Sequence, residues 1–144
     1  TITVWFKIYE CGHFPRLVDF GNGEAVDNIA IAYSSHKDCV LETYLFNFTI
    51  FSFIFRLPEK YKFEFNKWYY LAFSASSSYQ AIYLNGLKVL EQKNQSYFQS
   101  GLRNASFIGK SNWNHDSQTN ADIDDLRIYE KILNHEEILD DMNM

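Results

Sequence analysis

Carboxylates and amides offer the first chemistry in this chain. Asp19, Asn22, Glu24 and Asp27 flank the turn Gly21-Asn22-Gly23. Such an oxygen cluster suits Ca2+, which takes about six to eight oxygen ligands. The same residue types also brace loops by bonding to nearby backbone, and the spacing is not that of an EF-hand loop. Asp124 and Asp125 form a second acidic pair. Neighbouring side chains in a strand point to opposite faces, so these two are expected to act separately, mainly in fixing the strand end. The calcium set to be tested is therefore Asp19, Asn22, Asp27 and Asp124.

Asn112-Trp113-Asn114-His115-Asp116 supports different chemistry. Its indole can stack on a sugar face while the amides and carboxylate bond hydroxyls, and the polar stretch runs on to Asn120. Binding residues collect on exposed loops held by a rigid scaffold. Asn112, Trp113, Asn114 and Asp116 are the expected ligand contacts; the competing expectation is a Trp folded back over the edge of its own domain. His13, His36, His115 and His135 fall in separate predicted loops, with no serine or cysteine arranged as in a triad. Cys11 and Cys39 lack metal-ligand spacing. A disulfide at strand ends and two free thiols both fit the pair. Asn47, Asn94 and Asn104 open N-glycosylation sequons, a weak pointer to secretion.

The elements that position these groups read as strands. The 144 residues suit one domain, 1–144, and 18% are aromatic, a composition that fits pleated, half-buried surfaces. Ile2, Val4, Phe6 and Ile8 alternate with Thr3, Trp5, Lys7 and Tyr9, the two-residue period of a strand. Further strands are predicted at 16–20, 27–33, 40–46, 49–57, 67–74, 80–84, 87–90, 106–109 and 123–129. Asn85-Gly86 is a strong hairpin signal, because both residues tolerate positive φ. Asn134 with Glu137 three positions on predicts a capped helix. Many short strands with regular turns imply an all-β, antiparallel two-sheet sandwich with a short C-terminal helix.

Charge narrows the partners. The net charge of −5 is concentrated after residue 115, where nine acidic residues meet two basic ones. No basic stripe is available to neutralise phosphates, which argues against nucleic acid. The apolar run 44–55 is too short and too interrupted to span a bilayer. It is apolar on both strand faces, so one face can serve the core and the other a neighbouring domain.

The order of motifs resembles laminin-G-like jelly-roll domains of the concanavalin A-like lectin/glucanase superfamily. Ile2-Thr-Val-Trp-Phe-Lys7 resembles the family's opening strand, and Leu17 to Gly23 with Asp27-Asn28-Ile29 the strand and turn after it. Trp68-Tyr-Tyr-Leu-Ala72 with Tyr83-Leu-Asn-Gly86 resembles its W-Y-H-L and Y-V-N-G hairpin. Phe107-Ile-Gly109, Ile123 to Tyr129 and Leu133 to Ile138 resemble its closing strand and helical turn. The resemblance implies one or two further strands ahead of Thr1, one beside the closing strand, and hence a segment cut from a larger chain. It also implies a calcium ion at a loop rim. Glycan-cleaving relatives carry an E-x-D-x-x-E strand that sets two acids on one face, and this chain has no such pattern. The expectation is a non-catalytic extracellular or cell-surface module for recognition or adhesion, binding a glycan or a protein. The alternative is a building block of a surface or filamentous assembly, joined to neighbouring domains or subunits through an apolar sheet face.

Overall fold

The structure is a computed structural model and describes residues 1–33, 39–46, 52–93 and 101–144. His36 and the sequons at Asn47 and Asn94 lie outside the described residues. Alternating apolar residues give ten described strands. They are β1 (Ile2–Ile8), β2 (Arg16–Gly21), β3 (Ile29–Tyr33), β4 (Leu41–Phe46), β5 (Ser52–Arg56), β6 (Trp68–Ser76), β7 (Tyr79–Leu84), β8 (Leu87–Lys93), β9 (Ala105–Ile108) and β10 (Ala121–Ile128). They form two antiparallel sheets, ordered β10-β1-β6-β7-β8 and β5-β4-β3-β2-β9.

The inner faces meet through Val4, Phe6 and Ile8 of β1, Leu17 and Val18 of β2, Ile31 and Tyr33 of β3, Leu41 and Leu45 of β4, Leu71 and Phe73 of β6 and Ile82 of β7. Burial of this apolar surface is the main source of stability. Leu17 and Val18 are neighbours yet both join the core, because the β2–β3 register shifts between Arg16 and Val18. A bulge of this kind re-aims the side chains around it.

Helix α1 (His135–Met142) lies on the outer face of the first sheet. Leu133 and Ile138 are buried against Tyr70, Ala72, Ala81 and Tyr83, where two alanines leave room for the helix. The expected capping box is present: Asn134 Oδ1 accepts from the Glu137 N–H at 3.0 Å, and Glu137 Oε2 accepts from the Asn134 N–H at 2.8 Å. Asn85 and Gly86 turn the β7–β8 hairpin with φ of 49° and 78°.

The outer face of the second sheet positions the candidate site. Cross-strand register sets Arg16, Ala32, Glu42 and Arg56 in one row, and Asp19, Ala30, Tyr44 and Ile54 in the next. Ala30 and Ala32 make a trough, and Tyr44 fills it with Phe14 and Phe46 packed alongside. The second apolar face of β4 is thus used within the domain.

Candidate functional site

The site is built from β2, β4 and two loops, 9–15 and 109–120. Arg16 lies at its centre with its guanidinium almost wholly buried, a placement that requires carboxylates and aromatic faces around it. Its Nη2 donates to Asp116 Oδ2 at 3.1 Å, and Asp19 Oδ2 lies 3.9 Å from Nε. The guanidinium carbon is 4.7 Å from the Tyr44 ring centre and 5.0 Å from that of Trp113, distances suited to cation–π attraction. Arg16 Nη1 is buried with no hydrogen-bond partner among the described residues. On the other side of Tyr44, its hydroxyl donates to Glu42, whose second oxygen lies 3.4 Å from Arg56 Nη1. Burial, reinforced by the Glu42 carboxylate, pushes the Tyr44 hydroxyl far above the ordinary phenol range, so it remains a donor.

Trp113 is half-buried, its ring 5.1 Å from that of Phe46 and close to Arg16. The indole therefore folds onto the sheet and still keeps part of its surface in solvent. Asn114 and His115 beside it are exposed. Asn112 braces the loop: its N–H donates to Asp19 Oδ2 at 2.9 Å and its amide to the Ala105 carbonyl at 2.9 Å. Asp116 accepts from Ser111 Oγ at 2.6 Å besides Arg16. Of the four expected ligand contacts, Asn114 is exposed and Trp113 partly so, while Asn112 and Asp116 hold the loop in place.

The expected calcium set does not converge. Asp19 is fully buried, with Oδ1 accepting from Asn28 and Oδ2 from Asn112. Asn22 ties its turn to 101–104, accepting from the Asn104 N–H and donating to the Leu102 carbonyl. The Asp27 carbonyl accepts from Arg103. Asp124 belongs to the other sheet. Among the described residues, only His13, His115 and Asp116 bring three His, Cys, Asp or Glu ligand atoms within 4.8 Å of one another.

Asp124 and Asp125 depart from the expected opposition. The β1–β10 register shifts between Thr3 and Trp5, and Asp125 takes a φ of 49°, so strict alternation fails there. Both aspartates line a 350 Å³ dip with Trp5 and Trp68. Asp125 also pairs with Arg127 at 3.2 Å. At one edge, a largely apolar cleft of about 740 Å³ opens between the sheets, lined in part by Phe20, Ile29, Phe73, Ile128 and Ile132. Cys11 and Cys39 form a disulfide with Cα atoms 5.7 Å apart.

Arg16, Tyr44, Phe14 and Phe46 escaped the sequence reading because each sits in an ordinary strand pattern or beside one. The Ala30–Ala32 spacing was the available signal, since two small residues on one strand face call for large neighbours.

A laminin G family model, described as the concanavalin A-like lectin/glucanases superfamily, matches residues 1–139. No curated protein matches the chain in sequence. Domain 4 of AbnA, a GH43 extracellular arabinanase from Geobacillus stearothermophilus solved with arabinotriose, is similar with a TM-score of 0.69 at 22% identity, covering 98% of this chain and 65% of that one. The chain thus spans under two thirds of that domain's length. The CBM40 of Ruminococcus gnavus IT-sialidase, bound to α2,6-sialyllactose, gives 0.73 at 11% identity over 98% of this chain and 81% of that one. Mouse laminin α1 domains LG4-5 give 0.59 at 17% identity over 88% and 33%. At these identities the likeness is one of fold.

Proposed function

Since the chain belongs to the concanavalin A-like lectin/glucanase superfamily, we propose that it is a non-catalytic extracellular recognition module that binds a glycan on the outer face of its second sheet. The observation that carries this reading is the half-exposed Trp113 held over Arg16 and against Phe46, with Asn114 and His115 exposed beside it. A rigid indole with adjacent polar groups suits the apolar face and hydroxyl rim of a sugar. Similar folds solved with arabinotriose and with sialyllactose support a carbohydrate ligand. The disulfide supports an oxidising compartment. A glycan array followed by calorimetry, with and without calcium, tests the proposal. Saturable binding that falls roughly tenfold or more in Trp113→Ala is expected. Absence of binding, or binding indifferent to that substitution, overturns it.

A protein-contact role is favoured by a separate observation, the apolar cleft beside β10. In this second reading, a neighbouring domain or subunit of a larger assembly covers Ile128 and Ile132. Protection of residues 128–132 from hydrogen exchange in the parent assembly, relative to the isolated domain, is the expected result. Equal exchange in both removes this reading.

A further inference from the structure

We propose that His13, His115 and Asp116 form a binding site for a divalent transition-metal ion, Zn2+ in the first instance. The two histidines are 102 positions apart in the chain, yet one ligand atom from each, with one from Asp116, lie within 4.8 Å of one another. Around a tetrahedral Zn2+, with bonds of about 2.0–2.1 Å, ligand atoms lie roughly 3.3–3.5 Å apart. Closing the triangle thus takes a shift of at most roughly 1.5 Å between ligand atoms, which rotation of two exposed imidazoles supplies.

The supporting architecture favours an ion over a chance encounter. The His13 N–H donates to Ser117 Oγ at 2.9 Å and the Ser117 N–H returns to the His13 carbonyl at 2.8 Å, lacing the two ligand-bearing loops together. The first loop is anchored two residues earlier by the Cys11–Cys39 bond. In the second, Arg16 and Ser111 both donate to Asp116 Oδ2 and fix the carboxylate. Such outer partners orient a ligating carboxylate and limit the reorganisation that binding requires. Asp19 and Asp116 together outweigh the single positive charge of Arg16, which leaves the pocket negative.

Ligand chemistry selects the ion. Two imidazole nitrogens and one carboxylate oxygen suit Zn2+, Co2+, Ni2+ or Cu2+, whereas Ca2+ takes oxygen donors. Three protein ligands leave a position open for water or another small donor. The site stands on its own residues and does not depend on glycan binding.

Calorimetric titration of the purified chain with ZnCl2 tests the proposal, alongside Co2+ absorption in the visible range. One ion per chain is expected, with no comparable response to CaCl2. His13→Gln and His115→Gln should each weaken binding roughly tenfold or more, and the double variant should abolish it. His135→Gln, on the helix of the other sheet, should bind as the parent does. Thermal melts guard against misfolding: Zn2+ should raise the midpoint of the parent and not that of a folded His115→Gln. Absence of saturable Zn2+ binding, or binding that survives the double substitution, overturns the site.

Discussion

Asp141 gathers three donors on the outer face of the first sheet. The Tyr70 hydroxyl reaches Oδ2 at 2.7 Å, the Tyr129 hydroxyl reaches Oδ1, and Arg127 Nη1 lies 3.1 Å from Oδ1. Burial acts to raise its pKa, but the Tyr129 and Tyr70 hydroxyls and the Arg127 guanidinium outweigh it and hold the carboxyl below its usual range. The unfolded value is about 3.9, so this stabilisation is complete above that pH and is lost as pH falls through the lower folded value. Asp141→Asn should cost roughly 1–3 kcal/mol at pH 7, with less difference from the parent in strong acid; urea unfolding at the two pH values checks it. Nothing in the sequence around Asp141 announced this role, because its partners come from β6, the end of β10 and the residue after it. The same holds for His13 and His115. Local spacing cannot reveal a pairing made by folding two distant loops onto one sheet end.

The elements themselves were legible where local chemistry decides conformation. Period-two alternation located the strands, the Asn134–Glu137 pair located the start of the helix, and Asn85-Gly86 located the turn. Alternation misled where bulges insert a residue that no periodic pattern encodes, at Asp124 and Asp125 and again at Leu17 and Val18. The β7–β8 turn also carries the helix: His135 Nε2 contacts the Gly86 carbonyl at 2.9 Å, and Asn85 Oδ1 accepts from the Tyr70 N–H. A Cβ on Gly86 would stand 2.7 Å from Leu139 Cδ2, at a φ of 78° that L side chains rarely adopt. Gly86→Ala should therefore destabilise by about 1 kcal/mol or more, and hydrogen exchange should quicken in α1 as well as in the turn.

At the scale of the molecule, two sheets close an apolar core, and the disulfide limits the unfolded chain. Cys11 and Cys39 are 28 residues apart, a loop for which chain-entropy arguments give a stabilisation of roughly 3–4 kcal/mol. Replacing both by Ala should lower the melting midpoint by about 10 °C, as read by calorimetry. It should also weaken Zn2+ binding, since it frees the loop bearing His13. Sequence order was enough to indicate the sandwich, because strand pairing follows from many weak, consistent patterns; the candidate site depends on which loops meet, and that is settled only in three dimensions. One feature of the sandwich bears on its behaviour at high concentration. Among the described strands β10 stands at the edge of the first sheet, and it carries Asp122, Asp124 and Asp125 and is kinked where Asp125 turns left-handed. Repulsion and kink together discourage two copies from joining edge to edge. With those three aspartates exchanged for asparagine, light scattering should report self-association that grows with protein concentration.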